Sequence, residues 1–213
     1  MVSNKSWADM KHEPAERTNV LNPIRVILER EMKPPADPPL PIINLGLGEP
    51  SKANGFTLPD EINESIIEAI KSETANGYTQ ATGTAAAREA IAKKFQTAEH
   101  PINPNNVILS FGCSGSIYNC VAALCERGTR LLVPTPGFPL CQPICQNLGV
   151  EFDTYKLKPE DNWNIDLEHL ESQIKPDTRA LLVNNPSNPC GSCFTKEHMM
   201  EILAIADKPK LPL

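Results

Sequence analysis

A segment rich in glycine and serine stands between a short apolar run and a longer apolar stretch that is typical of a helix. It reads Phe111-Gly-Cys-Ser-Gly-Ser116. Its glycines free the backbone, its serines supply hydroxyls, and the N–H groups at the start of a helix bind anions, phosphate best of all. It contains neither the GK[ST] of a Walker loop nor a G-x-G-x-x-G. The segment therefore predicts either an anion-binding turn or an ordinary strand–helix turn capped by serine.

Two more loops with chemical potential follow predicted strands. Val133-Pro-Thr-Pro-Gly-Phe-Pro139 places Phe138 where its planar ring can stack on a planar cofactor, or simply pack as an aromatic side chain. Asn184-Asn-Pro-Ser-Asn-Pro-Cys-Gly191 holds Asn amides that can donate to a ligand oxygen, although Asn-Pro also forms common turns. Because the loops adjoin strands of one predicted sheet, we expect them at its carboxyl edge, where open α/β sheets bind ligands.

Seven cysteines and four histidines are the remaining candidates for chemistry. We expect reduced thiols, most of them acting as small buried apolar residues, because the cysteine count is odd and no export signal precedes them. The alternative is that Cys190-Gly-Ser-Cys193, alone or with Cys141 and Cys145, forms a redox pair or a zinc site. His169 and His198 each follow a Glu on a predicted helix, without an HExxH motif, which favours a surface position. The sequence predicts no metal site.

Alternating strands and helices are predicted to position these loops. Strands are predicted at 107–110, 130–133, 151–156 and 180–184, and helices at 59–72, 84–95, 116–125, 136–148, 166–174 and 195–207. This alternation predicts an α/β domain with a mainly parallel sheet and helices on both faces. The first helix carries one apolar stripe, and the last one has several apolar positions: Ile62, Ile66, Ala69 and Ile70, and Met199, Met200, Leu203 and Ile205.

The first 58 residues show little periodicity. A short helix is predicted from Asn22 to Glu31, and an apolar strand at 42–47 follows the proline-rich connector KPPADPPLP. The whole chain has 213 residues, with 20 Lys and Arg against 26 Asp and Glu and no basic tract, which argues against nucleic-acid and anionic-membrane partners. No apolar run approaches the length of a membrane helix, and the N-terminus has no apolar signal region. We therefore expect a cytoplasmic protein, with the mitochondrion as the alternative.

Six segments, in this order, resemble the fold-type-I pyridoxal-phosphate (PLP) aminotransferases, and most closely their tyrosine aminotransferase group. They are NPIR at 22–25, LGLGEP at 45–50, NGYTQATG at 76–83, FGCSGSIYNC at 111–120, LVPTPGFP at 132–139 and VNNPSNPCGS at 183–192. The resemblance covers almost the entire chain. It implies an N-terminal arm and part of the small domain at 1–58, and part of the PLP-binding large domain at 59–213.

The resemblance also implies roles for individual residues. Cys113 and Ser114 match the pair whose backbone amides and serine hydroxyl hold the cofactor phosphate. Phe138 matches the aromatic residue that stacks on the pyridine ring, and Asn188 matches the Asn that hydrogen-bonds the ring's 3′ oxygen. The bonds Thr135–Pro136 and Asn188–Pro189 match positions that are typically cis.

Two more residues are expected to face a partner subunit or the substrate. Tyr78 matches the Tyr that reaches the phosphate of the partner subunit in a homodimer, and Gly48 matches the glycine whose backbone meets the substrate carboxylate. Phe111 and Thr79-Gln80-Ala81 depart from the closest relatives. These departures weaken the substrate assignment more than the resemblance to the family.

The resemblance is to the first half of a family member. The family's next strand would begin near Leu211 and carry an Asp for the ring nitrogen and a Tyr for the 3′ oxygen. The Schiff-base lysine and an Arg for the substrate carboxylate come later, and none of these has a counterpart in residues 1–213. We therefore expect no catalytic residue in this chain and no turnover from it alone.

Three functions remain open. The first is transamination of L-tyrosine or other aromatic amino acids with 2-oxoglutarate, of which the chain is one part. The second is a non-catalytic chain that binds PLP weakly or pairs with a full-length partner. The third is a redox or metal protein built on Cys190 and Cys193. The resemblance implies small-molecule amino and 2-oxo acid substrates for the first.

Overall fold

The computed structural model describes residues 22–33, 35–43, 48–51 and 55–213. They group into two units: one contains the described residues up to Met32 together with 114–213, and the other contains the described residues of 33–113. The predicted division at residues 58 and 59 into arm and large domain stays a prediction. The helices are α1 Pro23–Val26, α2 Asp60–Ser72, α3 Ala85–Phe95, α4 Gly112–Leu124, α5 Cys141–Leu148, α6 Leu167–Gln173 and α7 Lys196–Asp207.

A four-stranded sheet lies at the centre of the first unit. Its strands are β1 Arg130–Thr135, β2 Glu151–Lys158, β3 Asn164–Ile165 and β4 Thr178–Leu181, in the spatial order β3-β2-β1-β4. The strand β1 pairs in parallel with β2 and with β4, whereas β3 is antiparallel to β2. The predicted mainly parallel sheet is therefore confirmed, with one short antiparallel strand that the sequence did not predict.

Helices cover both faces of this sheet, as predicted. Successive residues of a strand point to opposite faces, so Leu131 and Val133 lie on one side and Leu132 on the other. The first two pack with apolar residues of α4 and α5, including Val121 and Ile144. On the opposite face Leu132 packs with residues of α6 and α7, which include Leu170, Ile202 and Ile205. The sheet is therefore buried between two helical layers.

Charged residues join the strands at their amino-terminal edge. Arg130, the first residue of β1, lies 3.2 Å from the carboxylate of Asp153 on β2 and donates from Nε to Asp177, just before β4, at 3.3 Å. Lys175 adds a second ion pair with Asp153. The hydrogen bond from Arg130 holds the pKa of Asp177 below its usual value. We refer to Arg130, Asp153, Lys175 and Asp177 as the amino-edge ion pairs.

Prolines explain where the helix after β1 begins. The sequence predicted a helix from Pro136, but β1 continues to Thr135 and α5 begins at Cys141. A proline has no N–H and restricts the residue before it, so Pro136 and Pro139 favour a loop. Pro143 is the third residue of α5, a position whose N–H has no partner within a helix, and it is tolerated there.

Residues 33–113 form the second unit. Thr84 caps α3 as predicted, with Oγ1 accepting from Ala87 N at 3.4 Å. The predicted strand at 107–110 is wrong: these residues are irregular, Ile108 is exposed, and Leu109 N–H bonds to Thr82 O rather than to a neighbouring strand. The helix α2 forms as predicted, yet its stripe residues Ile62, Ile66 and Ile70 are exposed in the described part of the chain.

The segment before α2 is described in part. Asn22 caps α1 through its side chain at 3.0 Å, and a π-helical turn over Ile27–Glu31 continues α1 to the predicted end. Of the predicted strand at 42–47, residues 44–47 lie outside the described residues, and residues 42 and 43 are not in a strand. None of the described helices is both long enough and apolar enough to cross a bilayer.

Candidate functional site

The helix α4 begins inside the glycine- and serine-rich segment. Its first residue is Gly112, four residues earlier than the predicted Ser116, and Gly112 has φ +61°. The first four N–H groups of a helix have no partner within it. Those of Cys113 and Ser114 therefore point outward from the amino-terminal end of α4. Ser114 is exposed. This end of α4 offers a hydroxyl and backbone donors to an anion.

The connection from α4 to β1 places that end of the helix relative to the sheet. Residues 125–129 join Leu124 to Arg130, and Val121 and Cys125 pack against Leu131 and Val133. A helix joined this tightly to the strand it covers runs antiparallel to it, so the start of α4 lies near the carboxyl end of β1. Ser114 is therefore at the carboxyl edge of the sheet.

Phe138 follows β1 and lies beyond the same edge. The peptide bond Thr135–Pro136 is cis, as expected. A Cβ on Gly137 would lie 2.4 Å from the carbonyl oxygen of Pro134 and 3.2 Å from its ring, so the turn before Phe138 requires a glycine. The ring of Phe138 remains 38% exposed, which leaves surface available for stacking. Sequence reasoning did not single out Gly137 as a residue that shapes the site, although its place between Pro136 and Pro139 indicates a turn.

Asn188 lies in the loop that follows β4. Leu182 continues the pairing with β1 by donating to Leu132 O at 2.9 Å, and its own carbonyl accepts from the hydroxyl of Tyr155 at 2.8 Å. Tyr155 is completely buried, and burial raises the pKa of its hydroxyl. The bond Asn188–Pro189 is cis as expected, and so is Asn185–Pro186. The amide of Asn188 is exposed.

The sheet brings three of the predicted site residues to one edge. Because β1 and β4 are parallel neighbours, Phe138 and Asn188 both lie beyond the carboxyl ends of their strands. Ser114 reaches this edge from α4. An anion-binding helix start, an aromatic face and an amide donor together match a planar ring that carries a phosphate and an oxygen. The donor set therefore fits PLP.

The other predicted site residues belong to the unit of residues 33–113. Cys113 is exposed in the first turn of α4, immediately before Ser114. Tyr78 is fully exposed between α2 and α3, and Gly48 is exposed with open space around its Cα. The roles of these three residues, like those of Ser114, Phe138 and Asn188, stay predictions.

A buried arginine holds the segment that follows Tyr78. Arg88 donates to Gln80 Oε1 at 2.6 Å, to Pro104 O at 2.8 Å and to Gly83 O at 3.2 Å. These bonds fix the loop between α2 and α3 within its own unit. Sequence reasoning did not single out Arg88, because an arginine in an Ala-rich helix has the pattern of a solvated residue.

The cysteines divide between core and surface. All seven are thiols; Cys125, Cys141 and Cys145 are buried, Cys190 is half-buried, and the others are exposed. Burial raises the pKa of Cys145 to about 12 and also raises that of Cys125. The expectation that most of them are small buried residues is wrong, because three of the seven are buried and Cys120, which lies in an apolar run of the sequence, is exposed. Within the described residues, no three His, Cys, Asp or Glu side chains lie close enough to hold a metal ion.

The predicted surface position of His198 is wrong. It is buried near the start of α7, where Nε2 accepts from Ile165 N at 3.0 Å and the ring meets that of Phe194 edge-on at 5.4 Å. Its Nδ1 lies 3.4 Å from Glu201. His169 is half-buried, and its Nδ1 accepts from Lys156 N at 3.3 Å. Both rings therefore serve the packing of helices against strands.

Comparisons with known proteins agree with this fold. The chain is 38% identical to mouse tyrosine aminotransferase over 201 residues, which is 94% of this chain and 44% of the mouse protein. It is 38% identical to the human tyrosine aminotransferase over 97% of the chain, and 37% identical to that of Dictyostelium discoideum over 100%. The chain spans about half the length of these relatives, 44% to 50%.

Solved structures give the same result. The tyrosine aminotransferase of Leishmania infantum superposes with a TM-score of 0.88 at 27% identity, covering 96% of this chain and 51% of that one. An aminotransferase from Escherichia coli gives 0.80 at 27% identity, covering 95% and 50%. The fold is thus that of the fold-type-I aminotransferases, over about half of their length. The sequence profile named "Aminotransferase class I and II" matches residues 41–213, and the chain belongs to that family.

Proposed function

We propose that this chain supplies the phosphate- and ring-binding half of a PLP-dependent aminotransferase that acts on L-tyrosine or related aromatic amino acids, with 2-oxoglutarate as amino acceptor. One observation carries the proposal: Phe138 and Asn188 follow the parallel strands β1 and β4, and Ser114, at the start of the helix that packs on β1, lies at the same carboxyl edge. Membership of the family supports the reaction class. The names of the mouse, human and Dictyostelium relatives support the aromatic substrate.

Each of the three residues has a separate task at this edge. The hydroxyl of Ser114 and the N–H groups at the start of α4, those of Cys113 and Ser114, bind the phosphate. Phe138 covers one face of the ring, and the amide of Asn188 donates to the ring oxygen. PLP, when bound, supplies an electron sink for the charge that develops at the α-carbon of the amino acid. The chain's own contribution is to hold and orient the ring.

The remaining predicted residues extend the proposal to a homodimer. Tyr78 is fully exposed, and we propose that its hydroxyl reaches the phosphate in a partner subunit. The backbone of Gly48 would meet the carboxylate of the substrate. Crosslinking after replacement of Tyr78 by a photoreactive residue tests the first of these: a dimer that crosslinks within one subunit contradicts it.

Binding of PLP to the 213-residue chain tests the proposed site. A cofactor titration followed by absorbance should show that Ser114→Ala and Phe138→Ala each weaken binding about two- to tenfold, since single hydrogen bonds and stacked rings contribute about 0.5–1.5 kcal/mol. The matched controls are Ser172→Ala, which changes an exposed residue of α6, and Phe95→Ala, which changes a residue that ends α3 and is 61% exposed. Controls that weaken binding as much as the site variants would refute the site.

A second experiment separates binding from turnover. No lysine of this chain matches the family's Schiff-base lysine, so we expect binding without transamination. Borohydride reduction in the presence of PLP, followed by peptide mapping, should label no single lysine stoichiometrically. One labelled lysine together with tyrosine–oxoglutarate turnover would show that the chain is catalytically sufficient.

A further inference from the structure

The loop that carries Asn188 is closed by its own hydrogen bonds. We call residues 182–194 the Asn188 loop. Within it, Ser187 N–H donates to Ser192 O at 2.8 Å, and Gly191 N–H donates back to Ser187 O at 2.8 Å. These bonds make a tight turn around Asn188, but they connect the loop only to itself.

One side chain connects the start of the loop to its end. Asn185 Oδ1 accepts a hydrogen bond from Phe194 N at 3.0 Å. Phe194 is a fixed point, since it is 9% exposed, packs in the core with Leu132 and Ile202, and precedes the cap of α7, Thr195. The side chain of Asn185 therefore attaches the turn to the folded body of its unit.

The other end of the loop is fixed independently. Leu182 is bonded through its N–H to Leu132 and through its carbonyl to Tyr155. Asn188 thus lies between two anchors, one at the end of β4 and one at Asn185. The second anchor is the weaker of the two, because Asn185 is exposed and contributes a single bond.

We propose that Asn185 is a positioning residue for the cofactor site: by accepting from Phe194 N–H, its amide oxygen fixes where the Asn188 amide meets the ring oxygen. The inference rests on the proposed function, because it assumes that Asn188 donates to PLP. Asn185 itself does not touch the ligand. Its loss should therefore remove the contribution of the Asn188 contact and leave phosphate binding and stacking in place.

Comparing PLP with an analogue that lacks the 3′ oxygen isolates this contact. The unmodified 213-residue chain should bind PLP about three- to tenfold more tightly than the 3-deoxy analogue, the range expected for one hydrogen bond. In Asn185→Leu, which keeps the size but lacks the acceptor, this ratio should fall to about one. Asn185→Asp keeps an oxygen at the same reach and should restore the ratio to within about twofold of the unmodified chain.

Two controls separate positioning from general destabilisation. Ile144→Val removes a methylene from the buried core on the opposite face of the sheet from Phe194, and it should leave the ratio unchanged while lowering the denaturation midpoint. Asn185→Ala provides a second variant without the acceptor if Asn185→Leu does not fold. Hydrogen exchange at the Phe194 amide should accelerate in both acceptor-free variants and not in Asn185→Asp.

The outcomes distinguish the two proposals. If the unmodified chain discriminates the analogue and the acceptor-free variants discriminate it equally, the role of Asn185 is refuted and the proposed site stands. If the unmodified chain binds both compounds equally, Asn188 does not donate to the ring oxygen, and the proposed role of Asn185 is refuted as well. If neither compound binds, the proposed function itself is refuted along with the inference.

Discussion

Replacing Gly137 by alanine tests the link between the end of β1 and the site. The added Cβ would lie 2.4 Å from Pro134 O, whereas ordinary contact begins at 3.4 Å, so one of the two groups must move by about 1 Å. Pro134 cannot yield easily, because it lies within β1 and is paired with Tyr155 of β2. The loop after the strand must therefore shift, and Phe138 is the residue that follows.

The expected cost has two separate parts. Overpacking of this kind lowers the free energy of unfolding by about 1–3 kcal/mol. Displacing Phe138 removes a stacking contribution of about 0.5–1.5 kcal/mol, which is about a two- to twelvefold weaker affinity for PLP. Urea denaturation measures the first part and cofactor titration the second.

Gly77→Ala is the matched control for this change. A Cβ on Gly77 meets no atom of the described residues within 4 Å, so this variant should keep both the stability and the affinity of the unmodified chain. The reasoning is refuted if Gly137→Ala unfolds at the same urea concentration as Gly77→Ala. It is also refuted if Gly137→Ala loses stability and retains full affinity, since the shift would then not reach Phe138.

Two further predictions concern the framework of the sheet. Tyr155→Phe removes the donor to Leu182 O and should lower the free energy of unfolding, measured by urea denaturation, by about 1 kcal/mol. Tyr118→Phe, on the partly exposed side of α4, should not lower it. Equal losses of stability in the two variants would contradict the buried hydrogen bond. Arg130 lowers the pKa of Asp177 in the folded chain. The stabilisation that this ion pair gives the folded state is therefore present above the ordinary Asp pKa of about 3.9, and it is lost as the pH falls through the lowered value. Asp177→Asn should therefore lower the thermal midpoint at pH 7 but not at about pH 2, and the same difference at both pH values would refute this ion pair.

Sequence patterns predicted the parts of this fold that local spacing determines. The strands at 130–133 and 180–184 are mostly apolar runs between turn signals, and the strand at 151–156 carries aromatic and β-branched residues among charged ones. Each forms within a few residues of its predicted bounds. The loops after β1 and β4 and the start of α4 were predicted at the carboxyl edge for the same reason. Alternation of strands and helices leaves few other arrangements for a parallel sheet.

Two of the failures lie where a contact with distant residues, and not local spacing, decides the structure. Residues 107–110 have the composition of a strand but bond to a turn. The strand β3 is two residues long, too short for any periodicity. His198 shares a helical face with Ile202 and Ile205, at spacings of four and seven residues, and this pattern would have predicted its burial. Met200 and Leu203, apolar in sequence, lie on the exposed side of the same helix.

The amino-edge ion pairs and the site lie at opposite ends of the same strands. Arg130 connects the strands where they begin, and Phe138 and Asn188 of the proposed site lie beyond the points where the strands end. Substitutions of the ion pairs therefore alter stability without touching the proposed site, whereas substitutions in the loops beyond the carboxyl edge, such as Gly137→Ala, can alter both stability and binding. The charges that hold the strands together are thus separate from the groups proposed to hold the ligand, so a change in the ligand loops leaves these ion pairs in place.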